Sequence, residues 1–511
     1  MGHLMGIDLG TSACKAVVVA EDGHVLGSGS AVYPMAQPRP TWAEQDPQDW
    51  WHAAVDAVGA ALAQAGCGAA AITAVGLTGQ MHGAVVLDEA DAVVRPAILW
   101  CDQRSAAEAE DFEARVGRER CLELIANPML PNFTATKLLW LRRHEPALAA
   151  RIRHVLLPKD YIRLRLTGVH AAEVSDASGT GAFDVANRRW STAMCDLLGV
   201  PAAWWSPVAE SPQVTARISA DGAAATGLAV GTPVVGGAGD QAAAAVGNGI
   251  VAPGMVSVTI GTSGVVFAAT DGVVRDPLGR LHTFCHAVPG TWHVMGVTQA
   301  AGGSLQWWRN AFAQTEQTVA AATGEDVYDI LCREADRVPA GSEGLIFLPY
   351  LMGERTPHTD PAARGVLFGL TPRHGRAHVA RAILEGVSQS LRDGLDLIAD
   401  LGCPLREVRL TGGGARSALW RQIQADIFAR PLRAMQGAEG PALGAAVIAA
   451  AGTGVYASLT EACEALVRVG SETRPDPDGI AAGIEQGEVY RALYPALRPV
   501  FAQAQRARPE G

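Results

Sequence analysis

The chain has 511 residues, about half of them apolar, with 52 acidic side chains against 41 basic ones and a net charge of −11. That length exceeds one ordinary hydrophobic core, so two large domains are expected, and the acidic balance argues against a nucleic-acid binder, which needs a basic face. No apolar run approaches the roughly 18 residues of a membrane span, and none of the nine cysteines sits in a Cys-x-x-Cys pair, which argues for reduced core thiols in a cytoplasmic protein rather than a disulfide or zinc framework.

Residues 5–12 read Met-Gly-Ile-Asp-Leu-Gly-Thr-Ser, then come Lys15 to Ala20, Asp22-Gly23 and Val25-Leu26. This is a strand, a Gly-Thr-Ser turn, a strand, an Asp-Gly turn and a strand. Asp8 interrupts the first apolar stretch, so no secretory leader is expected. Asp46, Pro47 and Asp49 start a helix that runs from Trp50 to Ala65. Ala71 to Leu77 reads as a buried strand ending in Thr78-Gly79-Gln80-Met81-His82-Gly83, and Ala84 to Leu87 resumes as strand. Polar residues between glycines at such a strand end lie where open α/β sheets bind ligands. Helices follow over Ser105 to Val116 and Thr136 to His144, and a Ser/Gly-rich turn over Ser175 to Thr180. Pro201 to Gly231 reads as loop and linker, and with Pro339 to Gly344 it is a candidate domain boundary.

Val234-Val235 then breaks into Gly236-Gly237-Ala238-Gly239 and delivers one carboxylate, Asp240. A second apolar run, Val256 to Ile260, breaks into Gly261-Thr262-Ser263-Gly264, resumes through Ala269, and meets Asp271-Gly272 and Val273-Val274. The first hairpin unit thus recurs 251 residues later (261 − 10). The repeat predicts two similar α/β domains, each offering a Gly-Thr-Ser turn to one shared cleft. Near the end, Glu407 to Leu410 is a strand running into Gly412-Gly413-Gly414, Ser417 caps an amphipathic helix, and Ala442 to Ala451 forms a small-residue helix open to close approach. The terminal Arg506 to Pro509 reads as a frayed tail.

Gly10-Thr11-Ser12 and Gly261-Thr262-Ser263 supply the small residues and backbone N–H groups that a phosphate needs. There is no Gly-x-x-x-x-Gly-Lys-Ser/Thr loop, and Ser417 breaks the dinucleotide fingerprint, so Gly412 to Gly414 suit a turn against an adenine or its ribose. Asp8 precedes the first turn, as an anchor for hydrated Mg²⁺ or as a turn cap; Thr259 stands at that place in the second copy. Asp240 is a candidate general base for an attacking hydroxyl, or the N-cap of the helix that follows. His82 is a sugar-hydroxyl ligand or a core histidine. Trp42, Trp100 and the Trp307-Trp308 pair are more ordinarily packing residues than sugar platforms, and Asp102 and Arg104 are expected to pair with each other, with a ligand role as the weaker alternative.

Gly79-Gln80-Met81-His82-Gly83, Ile98-Leu99-Trp100, Leu157-Pro158-Lys159-Asp160-Tyr161, Gly239-Asp240 and Leu348-Pro349-Tyr350 with Gly353-Glu354-Arg355-Thr356-Pro357-His358 resemble the xylulose-phosphorylating members of the FGGY carbohydrate kinases. Gly365 to Leu370 through Leu384-Glu385 is similar to that family's C-terminal signature. The resemblance spans nearly the whole chain. It implies two ribonuclease H-like domains of the actin/hexokinase type with an interdomain cleft, divided as a sugar-binding domain over 1–230, a nucleotide-binding domain over 231–480 and a helical tail over 481–511. It implies transfer of the γ-phosphoryl of ATP, with Mg²⁺, to the 5-hydroxyl of D-xylulose in pentose catabolism. Asp240 matches the base, Met81 and His82 the sugar pair, Asp8 the carboxylate of the first phosphate motif, and Gly412 to Gly414 the adenosine motif. Trp100 and Gln241 join the sugar side, and Thr11, Ser12, Gly261 and Thr262 the phosphate side. A homodimer rests on the resemblance alone. Gly-Asp-Gln is also the form of glycerol kinases, although those resemble Arg-Glu where this chain has Met81-His82. Ribulose, glycerol and deoxy-ketose kinases stay open as alternatives, as does an actin- or chaperone-like ATPase.

Overall fold

The computed structural model describes residues 2–437 and 440–506. The chain forms two compact units, and they are interleaved in sequence. Unit one takes residues 1–253, 269–293 and 439–468; unit two takes 254–268, 294–438 and 469–511. The division expected near residue 230 therefore falls at Pro253, and two later segments return to unit one.

Unit one is built on β1 (His3–Leu9), β2 (Ala13–Ala20), β3 (Val25–Val32), β4 (Ile72–Gly79), β5 (Val214–Arg217), β6 (Pro233–Val235) and β7 (Ala238–Gly239). The order across the sheet is β5-β6-β4-β1-β2-β3, with β7 beside the end of β4. β1, β2 and β3 form an antiparallel meander, while β4 and β6 run parallel to β1. Leu4, Met5, Ile7 and Leu9 are all buried, the pattern of a strand covered on both faces. Helix α1 (Pro47–Ala65) covers the meander, capped as expected by Asp46, whose side chain accepts the Gln48 N–H at 2.9 Å. The opposite face is covered by the helix Gly440–Gly452. A Cβ at Gly6 would lie 1.9 Å from the Ala442 carbonyl oxygen, and one at Gly76 1.9 Å from that of Ala445. The close approach expected of this small-residue helix is thus an approach of sheet to helix.

Unit two repeats the plan with β8 (Met255–Ile260), β9 (Gly264–Thr270), β10 (Trp292–Thr298), β11 (Glu407–Gly412), β12 (Leu432–Met435) and β13 (Val469–Thr473), in the order β10-β9-β8-β11-β12-β13. β8 and β9 are an antiparallel hairpin, β11 and β12 run parallel to β8, and β13 is antiparallel, the counterpart of β5. Helices α4 (Gly302–Phe312), α5 (Val327–Ala335), α6 (Arg376–Asp400) and α7 (Ala418–Phe428) pack in this unit, and α8 spans Pro477–Arg506. Ser417 caps α7 as expected, accepting the Trp420 N–H at 3.2 Å. Both units are thus α/β, with one strand order between them, the ribonuclease H-like arrangement.

Some expectations are corrected. Val273-Val274 is not a strand; Trp292–Thr298 takes the third-strand place, because the chain loops out before returning to the sheet. Residues 201–231 are not a linker, since they contain β5 and the helix Ala220–Thr226. Residues 339–344 are no boundary either: the Glu385 side chain on α6 accepts the Gly341 N–H at 3.0 Å and the Ser342 hydroxyl at 2.6 Å, inside unit two. Residues 175–180, expected as a turn, are helical and buried. The frayed tail predicted over 506–509 lies outside the described residues past Arg506.

Candidate active site

In unit one the ends of three parallel strands lie in register. Asp8 is opposite Thr78, and Thr78 opposite Ala238; one step on, Leu9, Gly79 and Gly239 align. Asp240 follows at once as the first residue of α3 (Asp240–Gly247), with Gly239 in the capping place. Asp240 is therefore not the N-cap, and its carboxylate is presented at the sheet end from the helix's first turn. Burial pushes it up to about 6, against the pull of the Gln241 backbone and side-chain amides. Gln241, expected on the sugar side, acts here on the Asp240 carboxylate.

Asp240 is held by a buried polar network. The Gly239 N–H donates to the Ser175 hydroxyl at 3.1 Å, and that hydroxyl donates to Glu173 at 2.9 Å. Glu173 also accepts the Ser175 and Asp176 N–H groups and the Ser211 hydroxyl. Arg163, on α2 (Pro158–Thr167), donates to the Val235 and Gly236 carbonyls at 2.7 and 2.6 Å. Lys159 lies 2.6 Å from Asp160 and 3.3 Å from Asp176; burial alone would discharge it, but these carboxylates and Glu173 hold its ammonium above the usual lysine range. The Val235 and Gly236 carbonyls ahead of the candidate base thus have a charged partner, which fixes the base far better than a loop would. None of these supports was named as a site from the sequence, although Lys159-Asp160 stood in a quoted motif.

Met81 and His82 complete this region. A Cβ at Gly239 would fall 2.9 Å from Met81 Cγ, and one at Gly179 2.6 Å from the His82 ring, so both side chains lie against glycine backbone. His82 has φ 67, a left-handed conformation that a side chain adopts at a cost. Its carbonyl accepts Lys137 Nζ at 2.7 Å and the Thr134 hydroxyl at 3.1 Å, which hold it there. Lys137 is itself pushed down to about 7 by burial, against the pull of Asp102. His82 Nδ1 lies 2.6 Å from the Gly179 carbonyl oxygen. That oxygen only accepts, so Nδ1 carries a proton, and in the neutral ring Nε2 is the acceptor nitrogen suited to a hydroxyl donor. Phe133 and Phe284 pack 5.4 and 6.0 Å from the imidazole, ring centre to ring centre.

Asp8 carries an orphan: its buried Oδ1 has no hydrogen-bond partner, and neither has the hydroxyl of Thr78 beside it in register. Burial, with the Asp240 charge added, pushes the Asp8 carboxyl up to about 7, against the pull of Lys15. Unsatisfied buried oxygens of this kind fit a hydrated divalent cation. Thr11 and Ser12 form the tip of the β1–β2 hairpin, where Gly10 N–H closes on the Ala13 carbonyl at 3.0 Å. Trp100, expected on the sugar side, donates its ring N–H to the Thr11 hydroxyl at 2.9 Å and so braces this turn. Gln45 donates to the Thr11 carbonyl at 2.7 Å. Asp102 and Arg104 pair at 2.7 Å as expected, with the Trp42 ring 3.8 Å from the guanidinium.

The second phosphate turn opens onto a cleft of about 370 Å³ that lies wholly in unit two. Gly261 and Thr262 line one side, Gly413, Gly414 and Ser417 another. Gly412 has φ 80, and a Cβ there would lie 2.5 Å from the Ile260 carbonyl oxygen, so only glycine lets β11 turn under β8 at this point. The Ala301 and Gly303 N–H groups donate to the Thr262 carbonyl, and that of Gly302 to Gly261. The Gly261 N–H closes on the Ser263 carbonyl at 3.0 Å, so with the Gly261 and Thr262 carbonyls engaged by the start of α4, the Thr262 and Ser263 N–H groups are the ones the turn has to offer an anion. Tyr328, Asp329 and Arg416 complete the wall and were not predicted; the Gly302-Gly303 pair opening a helix was the one sequence signal of this side.

The N-terminal domain profile of the FGGY family of carbohydrate kinases matches residues 3–247, and the C-terminal domain profile residues 256–453. The chain is 42% identical over 499 residues to a xylulose kinase of Escherichia coli K12, covering 98% of this chain and all of that one. It is 36% identical to a xylulose kinase of Bacillus subtilis 168, covering 97% of each. The crystal structure of a xylulose kinase from Rhodospirillum rubrum superposes with a TM-score of 0.89 at 33% identity, covering 98% of this chain and all of that one.

Proposed function

We propose that this chain, which belongs to the FGGY family of carbohydrate kinases, transfers the γ-phosphoryl group of ATP to the 5-hydroxyl of D-xylulose, giving D-xylulose 5-phosphate for pentose catabolism. The observation that carries this reading is Asp240. It is a carboxylate with a raised proton affinity, held at a strand end whose Gly239 lies against Met81, in a chain similar over its full length to xylulose kinases.

In this reading Asp240 takes the proton of the attacking 5-hydroxyl as the O–P bond forms, and ADP leaves with the electrons of the broken bond. His82 Nε2 accepts a second hydroxyl of the sugar and Met81 packs on its carbon face, while Gln241 orients the base. Thr11, Ser12, Gly261 and Thr262 bind phosphate oxygens, and Gly412 to Gly414 the nucleoside. Asp8, with Thr78 beside it, would hold a hydrated Mg²⁺, which when bound neutralises phosphate charge. The nine free thiols suit a reducing cytoplasm, and a homodimer is inferred from family resemblance.

The test is ADP release by the purified chain across D-xylulose, D-ribulose, D-gluconate and glycerol at saturating MgATP. D-Xylulose is expected to give the highest kcat/KM, by at least tenfold. ADP release indifferent to every sugar would sink the kinase reading; a different preferred acceptor would overturn the substrate alone.

A further inference from the structure

Away from the strand ends, three side chains from separate segments of unit one converge. Asp91 sits at φ 59 in a tight turn, whose form is fixed by Asp88 accepting the Ala90 and Ala92 N–H groups at 3.1 Å each. His154 opens a short strand that pairs antiparallel with Val85–Leu87, Leu87 opposite His154. His170 stands just before the strand Ala172–Glu173. His170 Nε2 is 2.9 Å from Asp91 Oδ1, and His154 Nε2 is 4.0 Å from the same oxygen. The two imidazoles face each other with ring centres 4.4 Å apart, and one donor atom from each of the three residues lies within 4.8 Å of the others.

We propose that Asp91, His154 and His170 form a binding site for a borderline divalent transition-metal ion of the zinc type, separate from the Mg²⁺–ATP site. The donor set is two imidazoles and one carboxylate, which suits Zn²⁺ and not Mg²⁺. With bonds of about 2.0–2.2 Å, tetrahedral ligand atoms lie about 3.4 Å apart. The two measured separations fall on either side of that value, so small side-chain rotations bring the three atoms onto one ion. The remaining position faces solvent, since all three side chains are partly exposed, and water fills it.

A plain ion pair between Asp91 and His170 accounts for one of the two histidines. It leaves unexplained why His154 turns its Nε2 to the same oxygen. The His170 Nδ1 is buried without a partner, so the hydrogen bonding of that ring is directed at Asp91 alone. Arg151, at the adjoining turn, is drawn off by Asp88 at 3.0 Å. A bound ion would tie the 88–92 turn to two segments distant in sequence, and none of the three residues has a part in the proposed phosphoryl transfer.

The experiment is titration of Zn²⁺ into the tag-free, chelator-treated full chain in the presence of excess Mg²⁺, followed calorimetrically, with the visible spectrum of Co²⁺ as a second probe. One saturable site is expected, with a tetrahedral-type Co²⁺ spectrum. His154→Ala and Asp91→Asn are each expected to weaken it at least tenfold while kinase turnover without zinc is unchanged. Absence of saturable binding, or binding that survives both substitutions undiminished, overturns the proposal.

Discussion

The proposed base is tuned by what surrounds it. A base works only when ionised, and Asp240 is raised to about 6 by burial. At the sugar-free enzyme, kcat/KM for D-xylulose is therefore expected to fall tenfold per pH unit below about pH 6 and to be flat above it until other groups titrate. Asp240→Asn keeps the shape and is expected to lose about 10²–10⁴ in kcat, the usual range for general-base removal, with ATP affinity within about twofold. A variant that retains near-normal turnover, or keeps the acid limb of the profile, removes Asp240 from the role. The residue type and its glycine-rich approach were legible in the sequence. The supports were not: Ser175 and Arg163 lie 64 to 73 positions from the groups they bond, and only the fold brings their side chains to residues 235–239. The same holds for Lys137 and Gly179, which fix His82 from opposite sides.

At the scale of elements, the segment 353–358 of the quoted motif has a structural task. The Glu354 side chain accepts the Gln299 N–H at 2.9 Å and that of Arg355 at 2.8 Å, while Thr356 and Val297 exchange backbone and side-chain bonds. This stitches the segment to the end of β10, shortly before α4 begins at Gly302 and engages the second phosphate turn. Burial pushes the Glu354 carboxyl up to about 8, against the pull of those two N–H groups. An unfolded glutamate ionises near 4.3, so between about pH 4.3 and pH 8 the native state holds a proton that the unfolded chain releases. Stability is then lost as pH rises through this window, by at most about 1.4 kcal/mol per pH unit, and levels off above 8. Glu354→Gln keeps the accepting oxygen and has no proton to lose. Its melting temperature is expected to gain on that of the parent from pH 5 to pH 8. A difference between the two proteins that stays flat across this window would mean that the native carboxylate is already ionised at pH 5. The hairpins were readable because a Gly-Thr-Ser turn and its strands are local; this stitch is not, because it joins residues 55 positions apart.

At the scale of the molecule, the chain order misleads about what folds with what. The sequence, read contiguously, puts 231–480 into one domain, yet the helix Gly440–Gly452 belongs to unit one. Its small, apolar composition was visible; its partner was not, since nothing local says which sheet it covers. The physical reason for the match is reciprocal: Gly6, Gly76 and Gly444 all lie so close to facing backbone that any side chain would collide, with a Cβ at Gly444 only 1.8 Å from the Ala243 carbonyl oxygen. Ala445 to Ala450 are buried throughout, so removing the helix bares one whole face of β1 and β4. Apolar strands covered on both faces do not hold as an open sheet in water. A chain ending at residue 437 retains every strand of unit one but lacks this helix. Its β1 and β4 amides are expected to exchange hydrogen orders of magnitude faster than in the full chain, and residues 440–468 supplied as a separate peptide are expected to slow them again. Amides as well protected in the shortened chain as in the whole one would mean that unit one closes its core without the helix, and that the interleaving is a matter of chain path rather than of stability.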